Sequence, residues 1–169
     1  YKYESHGGVT SRDLFNSLDQ LIRPAVARDR VLRWMVFNYL IGNTDAHGKN
    51  LAFMVDRDGV EPAPFYDLLC VQAWLPDSTM AMSLQGENRP GWIDIMHWNA
   101  LAAEAGVPES LMRSYLQRLT ERVEAAADKL LADDGFLEAE REFIAQNILP
   151  VIRQRVAYVR TSLMGNGIE

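Results

Sequence analysis

The stretch Asn43-Thr44-Asp45-Ala46-His47-Gly48-Lys49-Asn50, followed by Tyr66-Asp67, sets two acids and an amide in an order that suits phosphoryl transfer. That chemistry needs a base for the proton of the attacking hydroxyl and oxygen ligands for a metal ion at the nucleotide phosphates. In a kinase catalytic loop an Asp is the base, an Asn five residues later is a metal ligand, and a second Asp further on holds metal. Asp45 and Asn50 are five apart, and Asp67 lies seventeen beyond Asn50. A base and a ligand that act on opposite ends of one reaction must point into one cleft from one short loop. Four intervening residues let the chain turn, and Gly48 supplies freedom for it.

Such a loop must be held from both sides. Before it, Val31 to Ile41 is apolar at helical spacing, part of a long helix that Pro24 starts and Gly42-Asn43 ends. After it, Leu51 to Val55 and Gly59 to Pro62 read as two short strands around the turn Asp56-Arg57-Asp58-Gly59. Upstream, Thr10 with Asp13 has the form of a capping box for a helix over Ser11 to Ile22. Residues 64–92 read as irregular, with a short strand at Met80 to Leu84. Helices are expected over Asn99 to Ala105, over Glu109 to Ala132 with an amphipathic stripe, and over Leu137 to Met164 with a kink at Pro150.

The residues also carry a family resemblance. Asn38-Tyr39-Leu40-Ile41-Gly42 together with Asn43 to Asn50 closely resembles the catalytic segment of HipA-type serine/threonine kinases, the toxins of bacterial toxin–antitoxin pairs. Pro64-Phe65-Tyr66-Asp67-Leu68-Leu69 is similar to that family's metal-binding segment, and Lys2-Tyr3-Glu4 with Gly7-Gly8 resembles the stretch that enters its C-terminal lobe. Met80-Ala81-Met82-Ser83 falls where the family has a similar run. The resemblance implies Asp45 as catalytic base and Asn50 and Asp67 as magnesium ligands. It implies nucleotide contacts for His47, Gly48, Lys49, Asn50, Tyr66 and Asp67, with ATP and Mg2+ as cofactors. It further implies autophosphorylation, a DNA-binding antitoxin as partner, and an aminoacyl-tRNA synthetase as a protein substrate.

Composition bounds the reading. At 169 residues and 19.1 kDa the chain is expected to form one domain, residues 1–169, with room for a core. Net charge −6 and a pI near 5.1 disfavour direct nucleic-acid binding. No run approaches the ~20 apolar residues of a membrane span. The lone Cys70 excludes an internal disulfide and suits a reducing cytoplasm. No G-x-G-x-x-G and no strand-borne lysine of the V-A-I-K kind occur, and the first residue is Tyr. The expectation is therefore a mostly α, protein-kinase-like C-terminal lobe: a helical bundle with a small β-hairpin carrying the metal-binding loop, and without its N-terminal lobe.

Plainer roles stand beside these. Asp45 alone would cap a turn; with Asn50 and Asp67 at kinase spacing the catalytic role is favoured. Asp67, between Phe65-Tyr66 and Leu68-Leu69, is expected to be partly buried. His47 divides evenly between holding the turn and meeting nucleotide, Lys49 leans toward phosphate, and Tyr66 leans toward packing. Trp34, Trp74, Trp92 and Trp98 are expected in the core or lining a groove. Three rivals remain. One is a phosphoinositide-kinase-like enzyme, since Asp45-x-His47-x-x-Asn50 is similar to that loop too. Another is a non-catalytic regulatory module of kinase fold. The third, a metal-dependent hydrolase using Asp45, His47 and Asp67, is weak without H-E-x-x-H.

Overall fold

The structure is a computed structural model and describes residues 1–55 and 57–164. Asp56, the first residue of the expected hairpin turn, lies outside the described residues. At the centre is helix α2 (Pro24–Leu40), opened by a proline whose missing N–H is one of the unpaired donors of a first turn in any case. Its apolar residues do not form one stripe. From Val31 onward Leu32, Trp34, Val36, Tyr39 and Leu40 are buried on nearly every side, so the helix is enclosed by its neighbours.

Those neighbours are built from ordinary helix signals. Helix α1 (Ser11–Ser17) starts at the Thr10–Asp13 capping box and buries Leu14 and Phe15. It is shorter than expected, because Leu18–Gln20 tighten into a 3-10 turn and Leu21 is extended ahead of Pro24. Helix α3 (Ile95–Glu104) begins four residues before the expected Asn99, because the Asp94 carboxylate accepts from the backbone N–H groups of Met96 and His97. Helix α4 (Glu109–Leu130) packs its Met112, Leu116, Val123 and Ala127 stripe against α2 and against α6 (Leu149–Met164).

The expected single helix from Leu137 to Met164 is instead α5 (Glu138–Phe143), a π-helical turn over Ile144–Ile148, and α6. The disturbance precedes Pro150 by a turn. Pro150 has no N–H to give, so the ladder shifts register upstream, where the Leu149 N–H reaches back to the Ile144 carbonyl.

Strands β1 (Phe53–Val55) and β2 (Val60–Pro62) form a two-stranded antiparallel sheet, pairing Phe53 with Pro62 and Val55 with Val60. The expected strand at Met80 to Leu84 does not form. Its backbone donors go elsewhere, Met80 N–H to the Asn88 carbonyl and Ala81 N–H to the Thr44 carbonyl, leaving one isolated bridge between Leu84 and Glu87. Of the four tryptophans Trp34 and Trp98 are in the core, whereas Trp74 and Trp92 are 60% and 63% exposed. These two lie in the irregular stretch, where no helical period decides their facing. Each is covered locally instead, Trp74 by the Phe143 ring and Trp92 by the Arg89 guanidinium at 3.5 Å.

Helix α2 ends in a Schellman motif. The Gly42 N–H donates to the Tyr39 carbonyl and the Asn43 N–H to the Asn38 carbonyl, with Gly42 at φ +71. A side chain there would be strained and would also meet Val151 Cγ1 at 2.4 Å. Gly42→Ala is expected to lower unfolding stability by roughly 1–3 kcal/mol, measured as a fall in the urea midpoint. Gly86→Ala, at φ +80 with nothing within 4 Å, should cost less, and equal losses would assign the effect to backbone strain alone.

Candidate active site

The loop after α2 is built on buried amides. Asn38, in the last turn of the helix, is 2% exposed. Its Nδ2 donates to the Trp34 carbonyl at 2.8 Å, and its Oδ1 accepts from Asn43 Nδ2 at 2.7 Å. Asn43 Nδ2 also donates to the Asp67 carbonyl at 3.0 Å. One carboxamide thus ties the helix end to the segment carrying the second acid. The loop is pinned again where Gln72 N–H donates to the Gly42 carbonyl and Thr44 Oγ1 meets Ser78 Oγ at 2.7 Å.

The hairpin brings Asn50 and Asp67 together across seventeen residues. Beyond the paired strands the Ala63 N–H donates to the Ala52 carbonyl at 2.8 Å, so the chain leaves this rung two residues from Asn50 and four from Asp67. Asn50 Nδ2 then donates to Asp67 Oδ2 at 2.6 Å, while Asn50 Oδ1 accepts from the His47 N–H at 3.0 Å. Asn50 is the buried member of the pair. Asp67 is exposed rather than partly buried as expected, since its flanking Tyr66, Leu68 and Leu69 are themselves exposed. Its backbone is left-handed, φ +57, a conformation that Asp tolerates better than most residues and that collects at functional sites.

His47 is buried and its Nδ1 has no hydrogen-bond partner, so its ring does not hold the turn through that atom; its backbone does, through Asn50. Gly48 packs against Val9, where an added Cβ would come within 3.1 Å of Val9 Cβ. Lys49 is exposed, and Tyr66 Oη donates to the Lys49 carbonyl at 2.7 Å, with its ring nearly half exposed.

Asp45 does not join the Asn50–Asp67 pair by hydrogen bond among the described residues. Its Oδ2 accepts from Lys2 Nζ at 2.7 Å and its Oδ1 from Tyr3 Oη at 3.0 Å. The hydrogen bond to Asp45 raises the Lys2 pKa above the usual lysine value, helped by the charges of Asp45 and Asp67 and opposed by partial desolvation. Lys2 and Tyr3, like Asn38 and Asn43, carried no spacing signal for this role. An Asn on an apolar helical face and a second at the helix end are the one hint the sequence offered.

The donor set has a definite chemical character. Asn50 and Asp67 carry hard oxygen donors, one amide and one carboxylate, with Asn50 turning Nδ2 toward Asp67 and Oδ1 toward the His47 N–H, and among the described residues no three His, Cys, Asp or Glu side chains form a cage. Magnesium takes one or two protein oxygens and completes its shell with water and substrate phosphates, so the donor types fit it, the Asp67 carboxylate as placed and the Asn50 amide once its oxygen turns to the pair. His47 Nδ1 is unpaired and enclosed, and Lys49, next to Asn50 in the chain, is an exposed cation.

Fold and site together define a mostly helical domain in which an enclosed helix delivers an acid-and-amide loop and a short hairpin returns a second acid to it. The chain belongs to the family of HipA-like C-terminal domains, which it matches over residues 1–127. It is 34% identical over 140 residues to the serine/threonine-protein kinase toxin HipA of Shewanella oneidensis, covering 82% of this chain and 32% of that protein. It is 36% identical over 145 residues to the Y4mE protein of Sinorhizobium fredii, covering 83% of this chain and 34% of that one. A chain of the solved Shewanella oneidensis MR-1 toxin–antitoxin complex of HipA, HipB and operator DNA superposes with a TM-score of 0.82 at 30% identity, over 96% of this chain and 38% of that one. The family expected from Asn38 to Asn50 and Pro64 to Leu69 is thus the family found. The chain spans about a third of the length of these relatives.

Asn43→Ala should leave Asn38 Oδ1 and the Asp67 carbonyl without their shared donor, costing about 1–3 kcal/mol. The check is a thermal melt paired with the amide exchange of residues 66–69, which should accelerate. Unchanged exchange there would mean that Asn43 does not fasten the Asp67 segment.

Proposed function

We propose that these 169 residues are the C-terminal lobe of a HipA-like serine/threonine protein kinase, which transfers the ATP γ-phosphoryl group to a protein hydroxyl. The observation that carries this reading is the 2.6 Å meeting of Asn50 and Asp67 beside the loop that holds Asp45. Family membership supports it, as does the name of the Shewanella relative. Asp45 orients the substrate hydroxyl and takes its proton as the oxygen attacks. Asn50 and Asp67 would hold magnesium, which when bound neutralises charge on the nucleotide phosphates. Lys49 adds a cation there, His47 holds Asn50 through its backbone N–H, and Tyr66 braces the loop through the Lys49 carbonyl with its ring face left open. The protein does little covalent work in such a reaction, and positioning with charge compensation supplies the acceleration.

The solved neighbour contains HipB and operator DNA, which supports a DNA-binding antitoxin as partner. With a net charge of −6, this lobe itself would not be the part that grips DNA. No helix among the described residues is long and apolar enough to cross a membrane.

In the full-length protein Asp45→Asn should lower transfer of labelled γ-phosphate about 10²–10⁴-fold while magnesium-dependent ATP binding persists. Asp67→Asn should lose that binding, with the left-handed turn preserved because Asn tolerates it as Asp does. Near-normal turnover of the Asp45 variant would overturn the assignment. Residues 1–169 alone should melt cooperatively, since α2, α4 and α6 already enclose a core, and should transfer no phosphate, since no G-x-G-x-x-G loop and no strand-borne lysine of the V-A-I-K kind occurs in their sequence. Robust turnover by this piece would refute the two-lobe reading.

A further inference from the structure

Both oxygens of Asp45 are taken by residues some forty positions away, and those residues are held in place. The Glu4 N–H donates to the Ala81 carbonyl at 2.9 Å, and the Glu4 carboxylate accepts from Ser83 N–H at 2.7 Å and from Ser83 Oγ at 2.8 Å. Ala81 in turn donates its N–H to the Thr44 carbonyl, next to Asp45. The Gly8 N–H donates to the Tyr3 carbonyl, and a side chain at Gly8 would lie 2.7 Å from that oxygen. The segment that presents Lys2 and Tyr3 is thus fastened to the floor of the loop and closed on itself.

Stability is a weak reason for this pair. The Lys2 and Asp45 side chains are 43% and 29% exposed, and ion pairs so open to water contribute little. The donor count points elsewhere. An ammonium has three N–H donors, of which Lys2 uses one on Asp45; a carboxylate has about four lone-pair positions, of which Lys2 and Tyr3 fill two. Asp45 therefore keeps an acceptor for a hydroxyl, and Lys2 keeps two donors on the open side. Lys2 Nζ lies 2.7 Å from Asp45 Oδ2, so the ammonium stands beside the group that faces the reacting hydroxyl.

We propose that Lys2 is a catalytic residue of this site: one N–H holds Asp45, and the remaining donors meet the non-bridging oxygens of the phosphoryl group in transfer. Tyr3 is a positioning residue that fixes the carboxylate through Oδ1. The inference rests on the kinase reading above. In the step, the bond from the acceptor oxygen to the γ-phosphorus forms and the bond to the β–γ bridging oxygen breaks. The hydroxyl proton passes to Asp45, ADP leaves with the bridging oxygen, and Lys2 stays charged throughout. The same cation faces the carboxylate before transfer and the equatorial oxygens during it, so the site needs no reorganisation as charge moves.

The test uses the full-length protein with MgADP, with and without aluminium fluoride as a mimic of the transferring group. Lys2→Met should bind MgADP as the unsubstituted protein does, lose most of the tightening that aluminium fluoride produces, and fall about 10²–10³-fold in kcat. Lys2→Arg should recover part of both, and Tyr3→Phe should lower kcat while the tightening remains. If Lys2→Met does not fold by thermal melt, Lys2→Gln, which keeps a donor toward Asp45, carries the comparison. Full fluoride-dependent tightening in the Lys2 variant overturns the inference even if kcat falls, because Lys2 would then act only through Asp45. An unsubstituted protein that transfers phosphate without such tightening overturns it too. An unsubstituted protein that neither binds MgATP nor transfers phosphate sinks the kinase reading itself and this inference with it, a result visible before any substitution is made.

Discussion

The carboxamide of Asn43 is the constraint on which the rest of the site depends. Its one nitrogen donates both to Asn38 Oδ1, inside the last turn of α2, and to the Asp67 carbonyl. A buried amide is costly unless its hydrogen bonds are made, and here each acceptor has its donor in the same group. The helix cannot shift its C-terminus, nor the Asp67 segment its distance, without breaking a buried bond. The usual partner of a Schellman turn is an apolar contact between the residues that here are Asn38 and Asn43. An amide pair takes its place, converting a helix stop into a strut.

From this strut the hairpin acts as a measuring device. Two strands of three residues each are too small to be stable alone, and β1 is exposed along its length. What they contribute is geometry: antiparallel pairing folds the intervening chain back on itself so that Asn50, before β1, and Asp67, after β2, leave the same open end of the hairpin. Arg30 reinforces the return leg by donating to the Pro62 and Ala63 carbonyls at 2.9 and 3.1 Å. Helix α2 thus fixes the pair twice, through Asn38 near its end and through Arg30 near its middle.

Much of this was legible. The types and spacing of Asp45, Asn50 and Asp67 marked them as a candidate set, of which the structure joins Asn50 to Asp67 by a hydrogen bond, and α2 and α4 were marked by apolar residues at helical spacing and by Pro24 and Gly42. What was not legible depends on contacts that no local pattern encodes. Lys2 and Tyr3 reach Asp45 across more than forty residues, and neither belongs to a periodic face. The left-handed turn at Asp67 has no glycine to mark it, and its apolar neighbours suggested a burial that does not occur. The start of α3 was readable in principle, because Asp94 is a good capping residue three positions before His97, but the turn-rich stretch before it masked the signal. Pro150 was a correct sign of irregularity at the wrong place, because a proline disturbs the carbonyls upstream of it and not its own turn.

The two halves of the site are held by different physics. Asn50 and Asp67 hang on buried amides continuous with the core, in surroundings where a hydrogen bond is strong and its loss expensive. Asp45 is held by a half-exposed cation and a phenol on a surface segment, where water competes and salt screens. On the kinase reading proposed above, a metal-ligand pair has to keep one geometry, whereas a base must accept a proton and release it in every turnover, with its partners adjusting each time. A stiff, buried frame suits the first task and a hydrated, charge-balanced one the second. Because the Glu4 anchor meets the Thr44 backbone through Ala81, the softer half is still set by the stiffer one, and a change at residues 81–83 would be transmitted to Asp45 without touching the Asn50–Asp67 pair.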